Sequence, residues 1–322
     1  MPVTMPNVTA GIDLGGTKIQ AAAVRARKVV GSARVATPRS GAAAVVRAMV
    51  AIVKQAVQQS GATLDDVGAV GIGTPGEVDS HAGLVSLSPN VPGFQESVDL
   101  GPRISKLLGG VPVTLDNDVR VAVLGEFKRG AGRPYRNVLG VFVGTGVGGG
   151  LVLDGKLRDG RGAAGEIGHT VVKDGGRVCS CGRKGCLEAY AGRGRMEARA
   201  RALVERGHKT VLFDLMEKGG HDRLTSGVFE RALARKDAVT ARLIQQAVWA
   251  LGVALASAQN LLDLEAIIIG GGLGDRLGEP FVDRVARAMK PHLFVDTRPP
   301  DMLTTELGDL SGAVGAAVRA GG

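Results

Sequence analysis

The stretch Thr9-Ala10-Gly11-Ile12-Asp13-Leu14-Gly15-Gly16-Thr17-Lys18-Ile19-Gln20-Ala21-Ala22-Ala23-Val24 decides the fold. An apolar run enters a glycine turn and a second apolar run leaves it at once, which predicts a β-hairpin. The pattern restarts in the second half of the chain. Asn137 to Val143 reads as a strand, Gly144-Thr145-Gly146-Val147-Gly148-Gly149-Gly150 as a turn, and Leu151 to Leu153 as another strand. Two such hairpins suggest two related halves. A glycine turn can point its backbone N–H groups inward as a nest for phosphate oxygens, although tight turns need glycine for purely local reasons as well. Neither hairpin is a Walker A loop or a Rossmann fingerprint opening a helix. A third glycine triplet, Gly270 to Gly272 after the buried strand Ala266 to Ile269, favours a nucleotide site.

Outward from the hairpins, strands and helices alternate, so the chain is expected to be α/β. Ala42 to Ser60 has apolar residues at helical spacing and stops at Gly61. Val67 to Ile72 is a strand leading into Gly73-Thr74-Pro75-Gly76. Pro102 to Leu108 reads as a helix and Val111 to Leu115 as a strand. Asp116-Asn117-Asp118 opens a helix to about Lys128, with Asn117 or Asp118 as its cap. Further helices are expected at Arg193 to Arg206, Thr225 to Ala234, Ala238 to Leu262 and Gly308 to Ala320.

A length of 322 residues suggests two domains or one large α/β unit. Glycine accounts for 50 residues without a collagen period or a Pro/Ser-rich tract, so it serves turns and close backbone approach. Only 3% of the chain is aromatic, which argues against stacking platforms for single-stranded nucleic acid. The net charge of +9 is scattered and so predicts anionic small-molecule partners, not dedicated nucleic-acid binding. The opening Met-Pro-Val-Thr-Met-Pro-Asn lacks the regions of a signal peptide. Ala247 to Leu262 is broken by Ser257, Gln259 and Asn260 and falls short of a membrane span. A cytoplasmic protein with no membrane partner is the expectation.

Chemistry concentrates in a few residues. Asp13 ends a strand beside the first glycine turn, where an acid can hold Mg²⁺ through water. Asp116-Asn117-Asp118 is either a helix cap with extra acid at the positive dipole end or an Asp placed to accept the proton of an attacking hydroxyl, with Asn117 orienting the substrate. All three cysteines, Cys179, Cys181 and Cys186, lie close together, and with His169 they make a Cys₃His set suited to structural zinc. Glu166 and Glu188 flank these ligands. They are either solvated or held to accept hydrogen bonds from several sugar hydroxyls. His81, His208, His221 and His292 have no such company and read as surface residues.

Asp13-Leu14-Gly15-Gly16-Thr17-Lys18, Gly73-Thr74-Pro75-Gly76, Asn117-Asp118, Gly144 to Gly150, Glu166-Ile167-Gly168-His169 and the Cys179 to Glu188 segment occur in that order. Together they resemble the ROK family (repressors, open reading frames and kinases), its zinc-containing, glucokinase-like members especially. The resemblance implies an actin-like, ribonuclease-H-like α/β fold of two domains with the active site in a cleft. The small domain would span 1–117, completed by the helix 308–322, and the large one, with the zinc segment, 118–307. The implied reaction transfers phosphate from Mg-ATP to a hexose, glucose first, with mannose, fructose, N-acetylglucosamine and N-acetylmannosamine as alternatives. Asp118 would be the base. Asn117, Glu166, His169 and Glu188 would bind sugar hydroxyls, helped by Asn90, Gly76 and Glu77. Gly11, Asp13, Gly15, Gly16, Thr17 and Lys18 would hold ATP phosphates with Gly144, Thr145, Gly146, Gly148 and Gly149. Gly271 and Gly272 would lie against the adenosine. His169 would serve both zinc and sugar.

The family also implies a homodimer or homotetramer. The chain departs from the pattern at Asp116, where many relatives carry Glu, and at Phe94, where Trp is common. Regulators of the family carry a helix-turn-helix domain ahead of the first hairpin. The twelve residues before Asp13 are too few for one, which favours the kinase. An actin-like ATPase or chaperone would share the hairpins but leaves the cysteine segment unexplained.

Overall fold

The first hairpin forms as read. In the computed structural model, which describes residues 8–88 and 90–321, strand β1 (Val8–Leu14) pairs antiparallel with β2 (Lys18–Arg25), with Asp13 opposite Gln20. The opening segment through Asn7, Pro89 of the Ser88–Phe94 turn and the terminal Gly322 lie outside the described residues. β3 (Lys28–Ala36) extends the hairpin, and helix α1 (Ala42–Gln59) follows. β4 (Val67–Thr74) joins β1 in parallel. A small hairpin of β5 (Glu77–Asp79) and β6 (Leu84–Ser86) precedes α2 (Leu100–Leu107). β7 (Val113–Asn117) then runs straight into α3 (Asp118–Arg129). The sheet order is β3-β2-β1-β4-β7.

Strand alternation sorts the two faces of β1. Ala10, Ile12 and Leu14 join a core with Val45, Met49 and Val53 of α1. Gly11 and Asp13 lie on the opposite face, under the closing helix α10 (Ser311–Gly321). That helix approaches the sheet and α3 so closely that only glycine fits between the backbones. A Cβ at Gly11 would lie 1.9 Å from the Ala313 carbonyl oxygen, and one at Gly71 1.8 Å from that of Ala316. Against α3, a Cβ at Gly315 would lie 1.6 Å from the Val121 carbonyl oxygen. A buried Ser311 Oγ–Glu126 Oε1 hydrogen bond of 2.6 Å adds to this joint.

The chain divides into two compact units, Met1–Pro134 with Asp309–Gly322, and Tyr135–Gly308. The first runs past the boundary expected after Asn117, because α3 packs on α10 through the glycines just described. Phe94 is fully buried in the core of this unit.

The second unit repeats the plan. β8 (Val138–Val143) pairs antiparallel with β9 (Val147–Leu153), and β10 (Lys156–Leu157) lies beyond it. Helices α4 (Glu188–Ala191), α5 (Arg193–Val204), α6 (Leu212–Lys218), α7 (Ser226–Ala234) and α8 (Ala238–Leu262) follow. β11 (Ala266–Gly270), α9 (Gly271–Met289) and β12 (Asp301–Thr304) complete a sheet of order β10-β9-β8-β11-β12. As in the first unit, the hairpin's leading strand takes a parallel neighbour on its other side, here β11.

Two expectations are corrected. The second glycine turn is shorter than read: Gly148, Gly149 and Gly150 are paired in β9 opposite Phe142, Val141 and Gly140. Gly149 is glycine because a Cβ there would lie 2.6 Å from the Gly165 carbonyl oxygen. The apolar stretch read from Ala247 as falling short of a membrane span lies within α8, the helix expected over Ala238 to Leu262. At 25 residues α8 is long and apolar enough to cross a membrane by length and composition, and 61% of its most apolar window is buried. Leu243, Ile244, Ala247, Leu251 and Leu255 enter the core of the second unit.

Gly315→Ala tests the helix joint. Overpacking two backbones should destabilise the protein by about 3 kcal/mol, read as a lower urea midpoint at unchanged slope. A variant as stable as the parent would contradict the packing.

Candidate active site

In the first unit the site is built on the ends of β1 and β7. The hairpin turn closes with Gly15 N–H donating to the Lys18 carbonyl at 3.0 Å, and Thr37 Oγ1 donating to the Gly15 carbonyl at 2.6 Å. A Cβ at Gly16 would lie 2.3 Å from the Asn90 carbonyl oxygen, so the first glycine turn rests on the loop that carries Asn90. Thr17 is exposed. Lys18 Nζ lies 2.7 Å from Asp309 Oδ1 at the approach to α10, a partner the sequence reading missed. Gly11 sits mid-strand, and its lack of a side chain is accounted for by α10. Gly76 has a φ of 101° and admits no Cβ beside the Ser86 carbonyl, while Glu77 and Asn90 are exposed.

Asp116-Asn117-Asp118 divides its work among three residues. Asn117 caps α3, its Oδ1 accepting from Val119 N–H at 3.0 Å and Arg120 N–H at 3.2 Å. Asp116 is buried and turned to the scaffold, paired with Arg120 at 3.3 Å and with Arg319 of α10 at 3.0 Å. Asp118 occupies the first position of α3, where its carboxylate gains from the helix dipole and its Oδ1 accepts from Val119 N–H at 2.9 Å.

Asp13 stands opposite Gly73 in the sheet, and a Cβ at Gly73 would lie 3.3 Å from Asp118 Cα. The two acids are therefore neighbours. Burial, then the charge of Asp118, push the Asp13 carboxyl up to about 7; Lys18 opposes the rise and Asp309 adds to it. A like-charged pair of this kind is what a divalent cation relieves, so the donor set fits Mg²⁺.

In the second unit the turn Gly144-Thr145-Gly146 is fastened from behind. Arg193, missed in the sequence, donates from Nη2 to Thr145 Oγ1 at 3.2 Å and from Nη1 to the Leu224 carbonyl at 3.1 Å. Glu188 accepts from Val147 N–H through Oε2 at 3.0 Å, and a Cβ at Gly146 would lie 2.3 Å from that oxygen. Its Oε1 accepts from Ser180 Oγ. Glu188 thus ties the phosphate turn to the cysteine segment. Glu166 is exposed, and its carbonyl accepts from His169 N–H at 3.1 Å. Gly271, at a φ of 79°, opens α9; a Cβ there would lie 2.7 Å from Val143 N, at the end of β8. Gly272 follows it in the same first turn.

His169, Cys179, Cys181 and Cys186 come together with their ligating atoms all within 4.8 Å of one another. Cys179 Sγ is 3.7 Å from His169 Nδ1, and Cys181 Sγ is 3.8 Å from Cys186 Sγ. A tetrahedron with metal–sulfur bonds of about 2.3 Å has edges of about 3.8 Å, so the set fits zinc. Contact with Arg183 lowers the Cys181 thiol to about 6, whereas burial pushes Cys186 up to about 12. His81, His208, His221 and His292 are all exposed.

With this geometry in hand, comparison with known proteins is informative. The family profile described as "ROK family" matches residues 9–321. A glucokinase of Streptomyces coelicolor is 36% identical over 321 residues, covering 96% of each chain. An N-acetylmannosamine kinase of Vibrio cholerae is 30% identical over 289 residues, covering 89% of this chain and 91% of its own. Among solved structures, a ROK family glucokinase from Streptomyces griseus in complex with glucose and AMPPNP superposes with a TM-score of 0.80 at 34% identity, over 97% of this chain and 99% of its own.

Two measurements test the site. Elemental analysis should find about one zinc per chain, and Cys186→Ser should lose the metal and lower the melting temperature; full occupancy in the variant would exclude it as a ligand. Asp13 supplies the second. Its folded-state carboxyl binds its proton more tightly than the unfolded one, so the folded protein loses stability as pH rises from its ordinary range through about 7. Asp13→Asn should therefore gain on the order of 2 kcal/mol relative to wild type between pH 5 and pH 8, without magnesium or nucleotide. Parallel urea curves at the two pH values for both proteins would show Asp13 to be unstrained.

Proposed function

The chain belongs to the ROK family, and from that premise we propose that it is an ATP-dependent hexokinase acting on the terminal 6-hydroxyl of glucose. Support comes from the glucokinase of Streptomyces coelicolor and from the Streptomyces griseus enzyme in complex with glucose and AMPPNP. The observation that carries the reading within this chain is the pairing of Asp118, at a helix N-terminus, with Asp13, beside a glycine hairpin.

Asp118 takes the proton from the sugar's terminal hydroxyl as that oxygen attacks the γ-phosphorus. The new P–O bond forms in line with the one that breaks, and ADP leaves. Asn117, Asn90, Glu166, Glu188 and the Gly76–Glu77 backbone hold the other hydroxyls. His169 fits a double duty: Nδ1 faces Cys179, which leaves Nε2 for a hydroxyl. Backbone N–H groups of Gly15, Gly16, Thr17, Gly144, Thr145 and Gly146 hold phosphate oxygens with Lys18, and Gly271 and Gly272 lie against the adenosine. Bound Mg²⁺ supplies charge neutralisation on the phosphates, and Asp13 would hold it through water. Zinc on His169, Cys179, Cys181 and Cys186 would be structural, fixing the segment that carries Glu188. Thiolate ligation fits a reducing compartment such as the cytoplasm.

Asp118→Asn should lower kcat about 10²–10⁴-fold while changing the glucose Kd by about threefold or less. Near-normal turnover would remove Asp118 as the base. N-acetylmannosamine is the second reading, supported by the Vibrio cholerae relative. A panel of hexoses and N-acetylhexosamines, ranked by kcat/KM, should put glucose first. A higher value for N-acetylmannosamine would reassign the substrate.

A further inference from the structure

The second unit carries a groove that none of the residues above uses. Gln245, Val248 and Trp249 of α8 line it on one side, and Arg284, Arg287 and Ala288 of α9 on the other, as an open surface depression of about 500 Å³. That is the size of a small-molecule site. Trp249 is the chain's single tryptophan and is 38% exposed. Its ring meets Tyr190 edge-on, with centroids 5.5 Å apart at 79°. The Arg177 guanidinium stands 4.7 Å over the same tyrosine ring and donates through Nη2 to Gln246 Oε1 at 2.5 Å. Its Nη1 is buried without a hydrogen-bond partner among the described residues. The positive charges of Arg199 and Arg242 act on Arg177 as well.

Among the described residues, Arg284 and Arg287, which line the groove, form no ion pair with a carboxylate, whereas Arg276 of the same helix pairs with Glu230. Two uncompensated like charges in one groove repel each other until an anion is present. Guanidinium groups match phosphate oxygens bidentately, and an indole offers a flat face to a ring beside them. A second copy of the chain is a poor occupant, since a two-fold contact through this groove would set arginine against arginine.

We infer that the α8–α9 groove binds a small phosphorylated anion, with Arg284 and Arg287 on the phosphate oxygens and the rest of the molecule against Trp249. The inference stands apart from the kinase reading, because no residue of the groove is assigned to that site. The lone tryptophan makes the test direct. Its fluorescence is titrated separately with inorganic phosphate, glucose 6-phosphate and AMP on the full chain, without other ligands. At least one should give a saturable change with a Kd below about 1 mM, and the three arms separate a phosphate-only site from one that also reads a sugar or a base. Arg284→Ala with Arg287→Ala should weaken that ligand about tenfold or more and leave sugar phosphorylation unchanged. Should the double variant fold poorly, Arg287→Glu at an exposed position should give the same loss. No saturable change with any of the three probes, an affinity that survives the substitutions, or a signal that follows protein concentration would each overturn the assignment.

Discussion

Two neighbouring carboxyl groups, one at the end of β1 and one at the start of α3, repel each other, and the first unit is arranged so that they cannot move apart. Asp13 is held by its strand, Asp118 by the capped start of α3, and the glycine-lined joint with α10 locks strand and helix together. A folded protein gains no stability from such a pair; the raised Asp13 carboxyl marks a loss. Strain of this sort persists where it serves chemistry. In the proposed function Asp13 would hold the cation through water and Asp118 would itself accept the proton.

The second unit answers a different demand. A sugar is recognised by many hydroxyls at once, so its partners must be fixed before it arrives. The Cys₃His set draws the cysteine segment together, and Glu188 ties that segment to the Gly144-Thr145-Gly146 turn through Val147 N–H. Ser180, between two of the cysteines, orients the other oxygen of Glu188. The cysteine segment and the Gly144-Thr145-Gly146 turn are thereby joined through one side chain.

Much of this was legible because glycine, asparagine and cysteine carry their reasons locally. A turn between apolar runs is a hairpin in any context, Asn117 caps whatever helix follows it, and four ligating residues close in sequence have few other uses. What stayed hidden depends on partners far along the chain. Helix α9 was missed because Gly271, Gly272, Gly274, Gly278 and Pro280 disguise a helical stripe of Leu273, Phe281, Val282, Val285 and Met289. Strand β3 was missed because it is largely exposed and Lys28, Ser32 and Arg34 interrupt its short apolar alternation. The run Gly144 to Gly150 was read as one turn because the approach of Gly165 to Gly149 cannot be seen locally. Arg193, Ser180 and Asp309 acquire meaning only once the fold brings Thr145, Glu188 and Lys18 beside them.

The central claim of the proposed function is that Asp118 accepts an alcohol's proton, so that a nucleotide's terminal phosphate passes to that alcohol and not to water. Phosphorus NMR of the protein with magnesium, ATP and glucose reads this in one tube. The account predicts ADP and hexose 6-phosphate accumulating in equal amounts, with ATP left intact when the sugar is omitted. Release of inorganic phosphate at the same rate with or without the sugar would contradict it.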